Sequence, residues 1–210
     1  MKRFRILPFF LVSALASPAL TFDLEWLIAT GSWNSTPNWT PNGLPSSTDS
    51  VTIDPLDGFS ATVSISSGAT AHNLTIGSND TVTIANNQTL TLDATGSDSA
   101  LVINNGASLA LNSVGNGTRL LINDGTLTIS GNGSINLSSN AANQLTGTNV
   151  TDSLVNQSTI QGAGAVGGNS LIIENQGTIT ALYSTPLILD PSSGSILENS
   201  GMLQAASGGV

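Results

Sequence analysis

Side chains able to carry acid–base, nucleophilic or metal chemistry are scarce in this 210-residue sequence. It contains no cysteine, His72 is its sole histidine, and Arg119 is its sole lysine or arginine after residue 5. A Ser–His–Asp site or a zinc cluster would therefore have to be built around one histidine. Proton abstraction, as in a polysaccharide lyase, would depend on Arg119 as the base. We interpret His72 as a surface histidine on a strand or turn.

Carboxylates are more plentiful, with thirteen Asp and Glu residues. Asp49 with Asp54, or Asp93 with Asp98, could form the pair that hydrolyses a glycosidic bond, a reaction in which the separation of the two groups in space is decisive. All four lie among turn-forming residues, where isolated acids usually cap the backbone or protect a sheet edge. We therefore predict that the protein is not an enzyme.

Acidic residues at turns are also candidate ligands for calcium, which prefers carboxylate and carbonyl oxygens. The sequence lacks the Gly-Gly-x-Gly-x-Asp repeat that holds calcium in some solenoids, and its Asn-Asp-Gly turn at residues 123–125 is of a generic kind. We therefore predict no metal and no cofactor. The residues considered as ligands are Asp80, Asp93, Asp98 and Asp124.

The segment 20–60 differs in composition from the rest, because it contains all three tryptophans and several prolines. One interpretation is a capping segment, since the first rung of a stacked β-structure has an open apolar end that large aromatic residues can cover. The other is carbohydrate binding, because the apolar face of a sugar stacks well on indole. For that second interpretation the candidate carbohydrate-binding residues are Trp33 and Trp39.

A short unit recurs through the chain: an apolar residue, an Asn or Gly turn, and then Thr alternating with aliphatic residues. The clearest copy is INDGTLTI at residues 122–129. Most copies follow one another at about 19 residues, which indicates a solenoid of stacked rungs. A leucine-rich repeat has a similar period but needs helix-forming residues that are missing here. The leading Asn residues are Asn86, Asn104, Asn123, Asn156, Asn175 and Asn199.

Alternating side chains give each predicted strand one apolar face that only neighbouring rungs can cover. We therefore predict an all-β fold, a right-handed parallel β-helix with rungs of about 19 residues over residues 61–210. Residues 138–149 are polar and are predicted as an extended loop or irregular rung, where solenoids often bind ligands. The predicted strand cores are 63–65, 74–76, 82–84, 90–92, 101–103, 109–111, 120–122, 127–129, 135–137, 171–173, 179–181 and 187–189.

Residues 1–19 combine three basic residues, an apolar run and small residues, which is typical of a secretory signal peptide. No other segment is long and apolar enough to span a bilayer, so we predict a secreted protein without a transmembrane segment. Cleavage after Ala16 or Ala19 leaves one basic residue against thirteen carboxylates, a formal net charge of −12. Nucleic acid is excluded as a partner because its binding needs clustered cations.

The predicted cap and the later repeats resemble a known group of proteins. Gly-x-Trp, Asn-Trp and Gly-x-Pro motifs within residues 31–45 are followed by Asp-x-Val-x-Ile at 49–53, and units such as Asn-Gln-Gly-Thr-Ile at 175–179 come later. This arrangement is similar to exported bacterial β-helix proteins, the autotransporter-passenger and haemagglutinin-like adhesins. The resemblance implies architecture more than activity. Because no barrel, sorting tail or cap pattern follows the repeats, we expect them to continue beyond residue 210.

These observations predict a non-catalytic, structural or adhesin-like protein that presents polar Thr, Asn and Ser side chains. We expect it to be secreted, or held at the bacterial cell surface in association with the outer membrane. Its expected partners are glycans or the surfaces of host or neighbouring cells. The alternative is a carbohydrate-binding or polysaccharide-processing β-helix protein that uses the Trp-rich segment or residues 138–149.

Overall fold

The computed structural model of the protein describes residues 23–55 and 58–210, so the predicted signal peptide lies outside the described residues. Within these ranges the chain forms β-strands and one short 3₁₀ turn, Thr36–Asn38. The strands in chain order are β1 (Asp23–Trp26), β2 (Thr30–Ser32), β3 (Trp39–Thr40), β4 (Ser50–Ile53), β5 (Thr62–Ile65), β6 (Ala69–Ala71), β7 (Asn73–Ile76), β8 (Thr81–Ile84), β9 (Thr89–Asp93), β10 (Ser99–Ile103), β11 (Ser108–Leu111), β12 (Thr118–Asn123), β13 (Thr126–Ser130), β14 (Ser134–Leu137), β15 (Asn143–Gly147), β16 (Asp152–Asn156), β17 (Thr159–Gly162), β18 (Gly164–Gly167), β19 (Leu171–Asn175), β20 (Thr178–Ala181), β21 (Leu187–Leu189), β22 (Glu198–Asn199) and β23 (Met202–Ala205).

Three sheets form the sides of a coil of about seven turns. Sheet A contains β1, β3, β4, β7, β10, β13, β16, β19 and β22; sheet B contains β2, β5, β8, β11, β14, β17, β20 and β23; sheet C contains β6, β9, β12, β15, β18 and β21. Neighbouring strands are parallel everywhere in the described residues except between β1 and β3. The prediction of an all-β parallel solenoid is confirmed.

The alternation of side chains explains why these segments form strands. In β8, Val82 and Ile84 are fully buried while Thr81 and Thr83 face outward. Stacking places Val82 between Val63 and Leu109, so the inward side chains form continuous apolar ladders. Burial of each such side chain stabilises the fold by about 1.5–3 kcal/mol. All twelve predicted strand cores lie inside observed strands.

The rungs are longer and less regular than the Asn repeats predicted, with an average spacing of about 25 residues. Thr62 lies beside Thr81 across a short rung, whereas Thr30 lies beside Thr62 across a longer one that contains β3 and β4. The early Asn repeats gave too short a rung length because they do not stack on one another. Asn86 follows a strand of sheet B, Asn104 follows a strand of sheet A, and Asn123 ends a strand of sheet C. Their spacing therefore measures two sides of a three-sided rung. The last three Asn repeats do stack, in sheet A.

The prediction of a loop or irregular rung at residues 138–149 was wrong, because this segment contains β15, an ordinary strand of sheet C between β12 and β18. Only Leu145 supplies a large inward apolar side chain there. At the start of the strand the buried Asn143 takes an inward position, and its amide donates to the carbonyl oxygens of Ser138, Asn140 and Ala163. A buried amide with these partners replaces an apolar residue without an unsatisfied polar group.

The two ends of the coil differ. At the first rung, β3 runs antiparallel to β1 and ends sheet A, and the side chains of Trp26, Trp33 and Trp39 are buried in this rung. At the other end, Ile188, Met202 and Leu203 are each at least two-fifths exposed, and Leu187 and Leu189 border a shallow apolar depression. Among the described residues, no helix is long and apolar enough to cross a membrane.

Candidate functional site

The tryptophans of the first rung form one cluster. The rings of Trp26 and Trp39 meet edge to face at 4.9 Å, and those of Trp33 and Trp39 do so at 5.0 Å. Trp39 Nε1 donates a 2.8 Å hydrogen bond to the carbonyl oxygen of Trp33. Each of the three side chains is 1% exposed. Edge-to-face pairs with satisfied indole N–H groups are typical of a packed aromatic core.

This burial bears on both interpretations of Trp33 and Trp39. A platform for sugar stacking needs an exposed aromatic face, and neither indole offers one while the cluster is closed. A cap needs apolar bulk over the end of the core, which the cluster provides next to Leu24 and Val51 of the first rung. The geometry therefore favours the cap, and carbohydrate binding by these two residues stays a prediction.

His72 lies between β6 and β7 and contacts residues of the next turn of the coil. Its Nε2 lies 3.1 Å from the Ser97 hydroxyl, and its Nδ1 lies 2.5 Å from the carbonyl oxygen of Asp93. The Asp93 carboxylate instead accepts hydrogen bonds from the backbone of Thr95 and the amide of Asn123. His72 therefore lies within hydrogen-bond distance of a serine hydroxyl, as a Ser–His–Asp site would require. A main-chain carbonyl oxygen orients its ring, whereas the Asp93 carboxylate is hydrogen-bonded to other groups.

The environment of Asp93 favours its ionised form. Burial acts to raise the pKa of this carboxyl group, but hydrogen bonds from Thr95 and Asn123 and the charge of His72 outweigh burial. The pKa of Asp93 therefore lies below its ordinary value.

The structure separates one of the carboxylate pairs considered from the sequence. Asp49 and Asp54 lie at opposite ends of β4, roughly 16 Å apart along an extended strand. The Asp49 carboxylate accepts hydrogen bonds from the backbone and hydroxyl groups of Ser46. Asp93 ends β9 and Asp98 precedes β10, on either side of a turn. No three His, Cys, Asp or Glu residues within 23–55 and 58–210 are grouped as metal ligands would be.

The structure brings together a different pair, Asp54 and Asp80, on either side of Gly77. A methyl group at Gly77 would lie 2.7 Å from both the Asp54 Cγ and the Asp80 Oδ2. Asp80 is 1% exposed; its Oδ1 accepts a hydrogen bond from the Ala61 backbone, and its Oδ2 has no partner among the described residues. Burial raises the pKa of Asp80, the Ala61 hydrogen bond offsets part of that effect, and the Asp54 charge adds to it. The separation of the two aspartates in sequence is close to the length of one rung. A correct rung length would therefore have predicted from the sequence that they lie close together.

A surface depression with a volume of ≈ 480 Å³ lies on sheet C. Arg119 of β12 lies between Thr89 of β9 and Gln144 of β15, and Ala165 of β18 continues the row. Arg119 Nε donates a 2.7 Å hydrogen bond to Gln144 Oε1. Other residues that line the depression are Leu121, Leu145, Thr146, Gly147 and Gly168.

Sequence reasoning named Arg119 only as a possible base and missed this surface. Arg119 and Gln144 lie on consecutive rungs, and Gln144 belongs to the segment that the pattern predicted as a loop. A strand assignment there, combined with the observed rung length, would have placed the two side chains together.

Comparison with known proteins identifies one similarity. Residues 27–129, a little under half of the chain, match a family model described as a domain of unknown function, DUF8693. The matched segment extends from the end of β1 into β13 and includes the tryptophans Trp33 and Trp39, His72 and Arg119. No curated protein and no solved structure matched the chain.

Proposed function

We propose that the protein is a non-catalytic, secreted or cell-surface component that uses its β-solenoid as a structural or adhesive surface outside a bacterial cell. The observation that supports this role is a row of seven hydroxyl side chains along the outer face of sheet B. The row consists of Thr30, Thr62, Thr81, Ser108, Ser134, Thr159 and Thr178, each beside the next.

This hydroxyl row gives one side of the molecule a uniform chemistry. At about 4.8 Å per strand, its seven strands span roughly 29 Å. The strands of sheet B contain no charged residue, whereas outward positions of sheet A include Asp23, Glu25, Glu174 and Glu198. An uncharged, hydrogen-bonding face on an otherwise acidic protein suits close contact with polar surfaces, because contact there brings no repulsion between carboxylates.

An adhesion measurement tests this role. Beads coated with the purified protein should be retained on bacterial or host cells, and the double variant Ser108→Glu, Ser134→Glu should lose most of that retention. Both serines are outward and half-buried, so the charges fall in the middle of the row. The double variant Thr126→Glu, Ser153→Glu, at two stacked, outward and half-buried positions of sheet A, is the matched control. Equal retention of wild-type and uncoated beads would rule out the adhesive role.

Export is the second part of the proposal, and it rests on the signal-peptide pattern of residues 1–19. Expression of the full sequence in a bacterium should yield an extracellular or surface-bound product. Its N-terminal residue should be Ser17 or Leu20, as determined by N-terminal sequencing. A product that keeps Met1 and stays in the cytoplasm would contradict this part.

Carbohydrate recognition is a second candidate function, favoured by the sheet C depression rather than by the tryptophans. The depression combines a cation, hydroxyl groups and a side-chain amide over small apolar residues. Such a mixture is typical of sites that bind polar ligands in a defined orientation.

A further inference from the structure

Arg119 has no ionic partner among the described residues, even though the chain has thirteen carboxylates. Its side chain is exposed, and its only polar contact within 23–55 and 58–210 is the hydrogen bond from Nε to Gln144 Oε1. That bond orients the guanidinium and leaves both Nη groups free to donate. Gly117 contributes by lacking a side chain, since a methyl group there would lie 2.9 Å from Arg119 Nη2. We propose that the sheet C depression binds a sugar that carries a carboxylate, with Arg119 as the anchor.

The hydrogen-bonding groups of the depression indicate a ligand rich in acceptors. Arg119 and the Gln144 Nε2 group can only donate, and neither the Nη groups nor Gln144 Nε2 has a partner in the described part of the chain. The Thr89 hydroxyl likewise has no side-chain partner there and can donate or accept. A planar carboxylate matches the two parallel N–H groups of a guanidinium, and neighbouring sugar hydroxyls and ring oxygens match the remaining donors.

The floor of the depression suits the apolar face of a sugar ring. Leu121 is outward and half-buried in β12, and Ala165 is outward and half-buried in β18. Gly168 also lines the depression next to Thr146 and has no side chain, so the surface is low beyond Gln144 and Thr146. Leu121 and Ala165 lie on β12 and β18, with β15 between them, so one sugar ring could lie on Leu121 with its polar edge toward Arg119 and a second ring could lie on Ala165.

Local charge supports an anionic ligand despite the acidic chain. Among the strands of sheet C, Asp93 is the only carboxylate. It ends the strand that Thr89 begins, roughly 13 Å away along an extended backbone, and its own partners are Thr95 and Asn123. At ordinary ionic strength a charge beyond about 8–10 Å at the surface is largely screened. Among the residues that line the depression, the charged one is Arg119.

The test is a titration followed by two-dimensional amide NMR, with a short oligosaccharide of uronic acid as the probe. We expect saturable shifts at residues 119, 121, 144 and 146. The same oligosaccharide with methyl-esterified carboxyl groups should bind at least tenfold more weakly. Arg119→Gln should weaken binding of the acidic form by about 10–100-fold, the usual range for charge-assisted contacts. Arg119→Lys should recover only part of this loss, because lysine keeps the charge but not the planar pair of donors.

Gln144→Ala is a second test variant, and Gln161→Ala is its matched control. Each glutamine is outward, half-buried and hydrogen-bonded to the preceding rung, Gln144 to Arg119 and Gln161 to Asn136. Only Gln144→Ala should weaken binding. Equal binding of the esterified sugar, equal binding of inorganic phosphate or an acidic peptide, shifts outside sheet C, or no binding at millimolar probe would overturn the proposal. Because the titration uses a soluble ligand and no cells, its failure is distinct from failure of the adhesive role.

Discussion

The side-chain amide of Asn156 donates a 2.7 Å hydrogen bond to Oδ1 of Asn175, the residue stacked beside it on the next rung. Both side chains are completely buried. Asn175 in turn donates at 2.7 Å to Oδ1 of Asn199 on the following rung. Asn156 Oδ1 also accepts from the Ser158 backbone and so stabilises the turn that follows β16. The repeated Asn therefore joins consecutive rungs as well as forming each turn.

Asn175→Ala should lower the free energy of unfolding by about 2–3 kcal/mol, because it leaves the buried amide of Asn156 without its acceptor. Urea denaturation measures this change. Gln176→Ala is the control, since Gln176 makes a similar bond to Gln157, at 3.0 Å, on the exposed surface. We expect a change below about 0.5 kcal/mol there. Equal effects of the two substitutions would contradict a structural role for the buried ladder.

Asp80→Asn should stabilise the protein at neutral pH. The asparagine keeps an oxygen that can accept from Ala61 and removes a buried charge beside Asp54. Because the pKa of Asp80 is raised in the folded state, its protonation favours folding below the unfolded pKa of about 3.9, and this contribution is lost as the pH rises through the folded pKa. The advantage of the variant should therefore shrink in acid. Urea midpoints measured across the pH range report this difference in stability, and Asp98→Asn, at an exposed position, is the control. If Asp80→Asn were less stable than the wild type at neutral pH, the negative charge of Asp80 would be needed for folding.

Asp93→Asn should have the opposite pH signature. The pKa of Asp93 is lowered by its hydrogen bonds and by His72, so ionised Asp93 stabilises the folded state above the unfolded pKa of about 3.9. That contribution is lost as the pH falls through the lower folded pKa. We expect the variant to be less stable than the wild type at neutral pH and to approach it in acid. A pH-independent difference in urea midpoints would indicate a packing effect instead.

Trp39→Ala should lower the free energy of unfolding by about 3–5 kcal/mol, because it leaves a cavity between Trp26 and Trp33. Intrinsic fluorescence during urea denaturation reports the transition, and Leu44→Ala, at a side chain that is 46% exposed, is the control. The same samples test the carbohydrate prediction for Trp33 and Trp39. A stable Trp39→Ala variant that lost a glycan-induced fluorescence change would favour the sugar platform over the cap.

Gly162→Ala should destabilise the fold by at least about 1–3 kcal/mol. Gly162 has a φ of 129°, and a methyl group would overlap the Leu137 carbonyl oxygen on the preceding rung. Gly68→Ala is the matched control, because no atom lies within 4 Å of the added methyl group. We expect Gly68→Ala to be neutral or stabilising by about 0.4–1 kcal/mol, since alanine restricts the unfolded chain. Thermal melting distinguishes the two outcomes.

Local patterns in the sequence were enough to locate most strands. Val82, Leu109 and Ile135 alternate with polar residues, and alternation depends only on the two-residue period of an extended backbone. The segment around Asn143 was missed because its strand contains a buried amide where the pattern expects an apolar residue, and the partners that satisfy that amide are distant in sequence.

The sequence by itself determined the fold class and its units, because strand alternation and the Asn and Gly turns follow from the conformational preferences of single residues. Tertiary structure decided which units stack. Corners between sides vary in length, so the stretch of chain that separates stacked neighbours is much longer in the first rung than in the second. Only the closed three-sided coil places Gln144 beside Arg119 and Asp80 beside Asp54. The sheet C depression and the Asp54–Asp80 pair both depend on that register, which no local pattern encodes.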